Sequence, residues 1–205
     1  MTNSTVPAPA DAPGATARGP RFRQGAGRLS LDYVRTLRRR GTADVEEELP
    51  DGRALAAWVR QCGPCGDAEF APPAEPVAAE ARALREAVYA LVTAALDGGG
   101  PAALRPEDRD LLNRVAAQPV PAPRLTAAGT LEQRAADPVA ATLSLVARDA
   151  LDLATSPALL ARLRPCASPT CGALFLDHSR PGTRRWCSMD VCGNRAKKAT
   201  LRARA

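Results

Sequence analysis

Cysteines are the residues of this 205-residue sequence with the clearest potential for chemistry. Four of the six form two close pairs, Cys166 with Cys171 and Cys187 with Cys192, and fifteen residues separate the pairs. Zinc binds four thiolates tetrahedrally at about 2.3 Å, which two close pairs joined by a loop can provide. The spacing predicts one structural zinc ion, because four protein ligands leave no coordination position for a substrate water. Unligated thiols or an iron–sulfur cluster are the alternatives.

The fifteen residues between the pairs predict a β-hairpin that returns the chain to the metal. We expect strands at 173–177 and 183–186, joined by a turn at Arg180-Pro181-Gly182. Phe175 and Trp186 would then shield the metal from water. A module of about forty residues depends on such a site, because bound zinc supplies roughly 10–16 kcal/mol of apparent folding free energy.

Basic residues are concentrated in the same C-terminal region. Residues 162–205 contain ten basic and two acidic residues, a net charge of +8, whereas the preceding residues sum to −2. This asymmetry predicts a polyanionic partner for the C-terminal region, and a merely solvated tail is the alternative. A helix is expected from Asn194, because Ala, Lys, Arg and Leu favour helices. The candidate nucleic-acid contacts are Arg184, Arg185, Arg195, Lys197, Lys198, Arg202 and Arg204.

The predicted basic helix suits DNA better than its alternatives, RNA or an acidic protein. Arg195, Lys198 and Arg202 lie at i, i+3 and i+7, which aligns them along one face for a major groove or its phosphates. Single-stranded RNA readers usually offer exposed stacking aromatics. Only Phe175 and Trp186 are near, and both are expected to be buried. Leu201 is expected to pack rather than to read a base.

The remaining pair, Cys62 and Cys65, has the Cys-Gly-Pro-Cys spacing of a thiol redox motif. Such pairs work at a helix N-terminus, where the dipole lowers the thiol pKa, but this pair follows a predicted helix. A thiol redox protein therefore remains the rival hypothesis. The sequence contains one histidine, His178, which we expect at the surface. Without phosphate-binding glycine motifs or a nucleophile elbow, we expect no enzymatic activity.

The residues before the cysteine cluster predict a mainly helical α+β domain. Apolar periodicity predicts a helix after Asp51, a long helix after Pro76 and shorter ones after Pro106, Asp137 and Ser156. Alternation of Leu29, Leu31 and Tyr33 suggests a short strand, and residues 124–132 suggest two more. The charged runs 38–40 and 46–48 are expected to be solvated. Asp32 and Glu86 are expected to be surface or capping groups.

These expectations divide the chain into a disordered leader at 1–20, the α+β domain at 21–164 and the zinc module at 165–205. The module is expected to have a hairpin and a helix, like a treble clef or zinc ribbon. No window reaches the roughly 20 apolar residues that span a bilayer, and no secretory signal is evident. We therefore expect a cytoplasmic protein that does not engage membranes.

The last forty residues resemble the CGNR zinc finger family, whose signature is present as Cys192-Gly193-Asn194-Arg195 after Arg184-Arg185-Trp186-Cys187. The domain before them is similar to the ABATE domain that usually accompanies this finger. The similarity lies at 31–33, 84–88, 111–113 and 164–166. The resemblance implies a bacterial, stress-linked transcription regulator whose N-terminal domain senses a small effector or forms a homodimer.

Overall fold

The computed structural model describes residues 22–66 and 68–202, so the predicted leader and Arg204 lie outside it. In chain order the elements are α1 (Leu29–Val34), β1 (Leu37–Arg38), β2 (Glu46–Glu47), α2 (Gly52–Cys62), α3 (Glu75–Leu96), a 3-10 turn (Pro101–Ala103), α4 (Pro106–Ala116), β3 (Ala122–Leu125), β4 (Leu131–Arg134), α5 (Pro138–Thr155), α6 (Pro157–Leu160), β5 (Leu163–Pro165), β6 (Leu174–Leu176), a π-helical turn (Met189–Gly193) and α7 (Asn194–Arg202). None of the helices in these ranges is both long enough and apolar enough to cross a membrane.

The core of the larger domain forms where α5 packs against α1, α3 and α4. Leu84, Val88 and Leu91 recur at helical spacing on α3 and are buried, as the periodicity predicts. The Tyr33 ring lies 4.8 Å from the Trp58 ring, and its hydroxyl donates a 2.6 Å hydrogen bond to a carbonyl of α3. These contacts join α1, α2 and α3 into one apolar interior.

The predicted helix starts are confirmed by their caps. The Asp51 carboxylate accepts a hydrogen bond from the Ala54 N–H at the start of α2. The Asp137 carboxylate accepts two from the first turn of α5, and Pro138 occupies the first helical position. The two strands predicted at 124–132 are also confirmed as the antiparallel hairpin β3–β4.

The strand predicted at Leu29, Leu31 and Tyr33 is wrong, because this segment forms α1. Its first turn is held by Asp149 of α5, whose carboxylate accepts hydrogen bonds from both the N–H and the hydroxyl of Ser30. A six-residue apolar alternation does not distinguish strand from helix. The helix is selected here by Asp149, which caps it from more than a hundred positions away in sequence.

The expectation that the charged runs 38–40 and 46–48 are solvated is also wrong. β1 pairs with β2, which sets Arg38 opposite Glu46, and side chains of α3 reach this hairpin and the residue after β1. Each of the three arginines forms an ion pair. Glu47 is bound by Arg85 of α3 through two 2.6 Å hydrogen bonds, and the Arg85 side chain is only 3% exposed.

The expectation that Glu86 is a surface or capping group is likewise wrong. This carboxylate binds both Arg40 and Arg85, so it bridges the hairpin and α3 instead of standing alone. The expectation for Asp32 is also wrong: it is neither a surface group nor a helix cap, since it lies within α1, accepts hydrogen bonds from the N–H groups of Gly25 and Ala26 and pairs with Arg35.

Burial alone would raise the pKa of Glu47, but hydrogen bonds from Arg85 and from the Leu49 N–H outweigh it, so the pKa lies below its ordinary value. A lowered carboxyl pKa in the folded state stabilises the fold above the ordinary glutamate pKa. This stabilisation is lost as the pH falls through the lowered pKa. The ion pair therefore contributes at neutral pH and fails in acid.

We predict that Glu47→Ala lowers the free energy of unfolding by about 2–3 kcal/mol at neutral pH, because it leaves the buried Arg85 guanidinium with Glu86 alone. Glu46→Ala is the matched control and should cost less than about 1 kcal/mol, because Glu46 is half exposed. Urea denaturation of both variants measures the difference. Equal losses would show that the Arg85–Glu47 pair is not a determinant of stability.

Candidate metal centre and nucleic-acid interface

The four C-terminal cysteines converge on one point. Their sulfur atoms all lie within 4.8 Å of one another, and the three Sγ–Sγ distances among Cys171, Cys187 and Cys192 are 3.6, 3.7 and 3.6 Å. Four sulfurs at about 2.3 Å from a tetrahedral zinc ion stand about 3.8 Å apart. The distances are too long for disulfides, which require about 2.05 Å. The cluster therefore fits one zinc ion.

Short local structures aim each cysteine at this point. Cys166 directly follows β5 and its N–H donates to the Ala173 carbonyl at 2.8 Å. Cys171 closes a turn through its N–H bond to the Ser168 carbonyl. Cys192 lies in the π-helical turn, which the hydroxyl of Ser188 caps. The four residues between Cys166 and Cys171 thus form a turn. The four residues between Cys187 and Cys192 lead into the π-helical turn.

Three of the clustered cysteine thiols differ in pKa. A hydrogen bond from the Cys187 thiol lowers the pKa of Cys171 to about 5. The pKa of Cys187 is raised because it donates that hydrogen bond, and that of Cys192 is raised to about 11, first by burial. Several thiolates at these distances repel one another unless a cation lies between them. This chemistry suits Zn²⁺, whose charge stabilises all four thiolates.

The hairpin predicted between the cysteine pairs is wrong in its second strand. β6 forms within the predicted 173–177 strand, but it pairs with β5, with Leu163 opposite Leu176. Residues 183–186 form no strand. Instead the Asp177 carboxylate accepts hydrogen bonds from the N–H groups of Ser179 and Arg184, which folds the chain into a loop. Hydrogen bonding from the side chain and backbone of Ser179, with the Arg184 N–H and the charge of Arg162, lowers the pKa of Asp177 to about 2. The predicted boundary at 164/165 falls inside β5.

Arg184 is used within the zinc module. Its guanidinium donates to the carbonyls of Trp186 and Cys187 and lies 4.6 Å from the centre of the Phe175 ring. Phe175 is fully buried and Trp186 is partly buried against the same core. His178 is exposed, as predicted, and its Nε2 lies 3.3 Å from the Gly27 carbonyl oxygen, outside the cysteine cluster. We therefore leave Arg184 out of the proposed nucleic-acid surface.

The other predicted nucleic-acid residues within the described chain are exposed. α7 begins at Asn194, as predicted, directly after the turn that contains Cys192. Across residues 22–66 and 68–202, no carboxylate lies within ion-pairing distance of these cations. They are Arg185, Arg195, Lys197, Lys198 and Arg202. Leu201 is 66% exposed, so the expectation that it packs within the chain is wrong.

The environment of Cys62 and Cys65 does not favour a redox pair. Cys62 is the last residue of α2, the opposite end from the one that activates a thiol. Burial raises the pKa of Cys62 to about 11 and also raises that of Cys65. Both thiols are therefore protonated at neutral pH and react slowly as nucleophiles.

The zinc module is packed against the larger domain. The Leu176 N–H donates a 2.7 Å hydrogen bond to the Ala26 carbonyl. Gly172 has φ +63°, and a Cβ built on it would lie 3.1 Å from the Cβ and carbonyl oxygen of Arg40. A side chain at this position would be strained by the positive φ, and Arg40 would have to shift by a few tenths of an ångström to admit it. This contact was missed by sequence reasoning, which treated the glycine only as part of a loop.

Comparison with known protein families gives a match for each of the two parts of the chain. Residues 27–157 match the ABATE family, described as "Putative stress-induced transcription regulator", and residues 162–205 match the CGNR zinc finger. The chain belongs to the ABATE family. None of the curated proteins matches it. The ABATE and CGNR matches confirm both predicted resemblances, and the CGNR finger together with the clustered sulfurs confirms one zinc ion as its cofactor.

We predict that the purified protein contains one zinc per chain and that Cys192→Ser abolishes it, because three thiolates hold the metal far less tightly. Loss of zinc should also lower the melting temperature of the ABATE domain, since β5 and β6 carry its contact with Ala26. Metal analysis and circular dichroism measure both effects. The double variant Cys62→Ser/Cys65→Ser is the matched control and should keep its zinc. Full zinc in the Cys192→Ser protein would contradict the ligand set.

Proposed function

We propose that this ABATE protein is a zinc-dependent transcription regulator that binds DNA through α7. The observation that carries the proposal is a helix of exposed cations that emerges directly from the metal site. Zinc would hold the start of α7 through Cys192. The orientation of the helix, and so of its cations, would then be fixed before DNA binds. With four cysteine ligands the metal itself would be structural, and we propose no catalytic activity.

The dimensions of α7 suit the major groove. Arg195, Lys198 and Arg202 lie on one face, and at about 1.5 Å per residue they span roughly 10 Å. The major groove of B-DNA is about 12 Å wide. Arg185 lies on the loop before the helix, with its guanidinium 5.3 Å from the centre of the Trp186 ring, and would add a phosphate contact. These residues form the proposed DNA surface, together with Lys197.

A single surface of this size does not provide sequence specificity by itself. One finger-sized module buries only about 600–1,000 Å² of protein surface on DNA. We therefore propose that a second copy of the chain, joined through the ABATE domain, supplies a second half-site. The family description links the protein to stress. We further propose that the ABATE domain senses a small effector in the cytoplasm.

We predict that duplex DNA binding weakens steeply with salt, with log K falling against log salt at a slope of about −4.5, because five cations would displace condensed counterions. The variant Arg195→Ala/Lys198→Ala/Arg202→Ala should reduce that slope to about −2. Fluorescence anisotropy with a labelled duplex across a salt series measures the slopes. A wild-type affinity that does not change with salt would contradict the electrostatic surface.

A matched control removes the same charge elsewhere on the surface. Arg105, Arg109 and Arg114 are exposed arginines of the ABATE domain, so their triple alanine variant should retain the wild-type slope. Genome-wide immunoprecipitation of the tagged protein then tests the function in cells. Equal promoter enrichment for the α7 variant and the wild type would reject the interface. Tighter binding to single-stranded RNA than to duplex DNA would favour an RNA-binding function instead.

A further inference from the structure

A small open pocket lies at the junction between the ABATE domain and the zinc module. Its volume is about 90 Å³, and three of the zinc ligands, Cys171, Cys187 and Cys192, line it. The ABATE domain contributes arginines from the loop before α1 and from the region around β1, and α7 contributes Arg195. Zn²⁺ with four thiolates carries a net charge of −2. The pocket therefore brings guanidinium groups from both parts of the protein beside an anionic metal centre.

Most of the arginines at this junction already have carboxylate partners. Four arginines that line the pocket, together with Arg85 of α3, form ion pairs with five carboxylates, so five positive and five negative charges cancel. The pairs join Arg35, Arg38, Arg39, Arg40 and Arg85 to Asp32, Glu46, Glu47, Glu48 and Glu86. This network is neutral by itself. It supplies no net charge to balance the metal centre.

Two arginines of the pocket, Arg23 and Arg195, lie outside this network. Within residues 22–66 and 68–202, neither has a carboxylate at ion-pairing distance. Their combined charge of +2 is equal and opposite to that of zinc with four thiolates. Burial and the charges of two neighbouring arginines lower the pKa of Arg23, while negative charge on Glu48 and Cys192 acts in the opposite direction. Arg23 is therefore close enough to the metal centre to sense its charge.

Each part of the protein holds one of these two cations at the pocket. The Gln61 side chain of α2 accepts a 2.9 Å hydrogen bond from the Phe22 N–H and donates one of 2.7 Å to the Phe22 carbonyl, which fixes the backbone beside Arg23. Arg195 donates a 3.3 Å hydrogen bond to the Thr170 hydroxyl, in the loop that ends at Cys171. The ABATE domain thus positions one cation, and the zinc module positions the other.

We propose that Arg23 and Arg195 are the counter-charges of the zinc centre, so that the ABATE domain, through Arg23, helps the zinc module to retain its metal. The hydrogen bonds of the described chain include none from either guanidinium to a cysteine sulfur, so the two cations act through their charge across the pocket. Release of zinc lets the thiolates take up protons and become neutral. A nearby positive charge therefore stabilises the metal-bound state more than the metal-free state.

Such an arrangement makes zinc affinity depend on the packing of the two parts. Any rearrangement that moves the loop before α1 away from the pocket removes Arg23 and weakens zinc binding. Under the proposed function, loss of zinc would also release α7, but zinc retention itself requires no DNA. Arg195 belongs to the proposed DNA surface as well, whereas Arg23 does not. Arg23 is therefore the residue that tests the inference independently of DNA binding.

Competition between the zinc-loaded full chain and a colorimetric chelator measures zinc affinity without DNA. Arg23→Gln should weaken zinc binding about tenfold, as is typical for the loss of a group just outside the ligand set, and Arg195→Gln should act in the same direction. Arg23→Lys keeps the charge and should bind zinc like the wild type. Lys198→Gln is the matched control, because it removes the same charge from α7 at a residue outside the pocket lining, and it should leave zinc affinity unchanged.

Cobalt substitution separates a charge effect from a structural one. The energy of the thiolate-to-Co²⁺ charge-transfer bands depends on the charge around the sulfurs, so Arg23→Gln should shift these bands to lower energy and Arg23→Lys should not. Wild-type zinc affinity in Arg23→Gln would overturn the proposal. Equal weakening by Arg23→Gln and Arg23→Lys, or weakened metal binding with unshifted cobalt bands, would also overturn it, because the shape of the side chain and not its charge would then hold the module.

Discussion

Convergence of four sulfurs on one point is the constraint on which the C-terminal module depends. The 27 residues from Cys166 to Cys192 contain only one three-residue strand and part of a π-helical turn, which is too little regular structure to hold itself together. A metal at the sulfur cluster closes this loop on β5 at one end and on α7 at the other. The orientation of α7 is therefore a property of the metal site more than of the helix.

The zinc module is also held from the side by the ABATE domain. The hydrogen bond from Leu176 to Ala26 and the close approach of Gly172 to Arg40 bring an arginine-rich loop against the cysteine cluster. Positive charge at such a junction is stable only where carboxylates or bound anions compensate it. Glu47 and Glu86 compensate the α3 side, and Arg35, Arg38 and Arg39 pair with nearby carboxylates. The junction thus couples the two parts mechanically while its charges are compensated within the protein.

Features that depend on local chemistry could be predicted well from the sequence. The caps at Asp51 and Asp137, the apolar period of α3 and the propensity of residues after Asn194 each act within a few residues, so the helices were found near their actual ends. Errors occurred where a distant partner decides. Asp149 selects helix for α1, and β5 takes the pairing edge of β6 that was assigned to residues 183–186.

The sequence by itself determined the zinc ligands, the charge asymmetry and the basic helix, because cysteine spacing, residue charge and helix propensity are written in consecutive residues. Only the tertiary structure decided which cations are bound within the protein and which remain available to a partner. Arg184 and Arg38 look alike in sequence, yet one binds carbonyls of the module and the other faces carboxylates across β1–β2. Arg23 and Arg195 line one pocket at the junction of the two parts, although about 170 positions separate them in sequence. No local pattern encodes this proximity, because the two residues approach one another only when the two parts of the protein pack together.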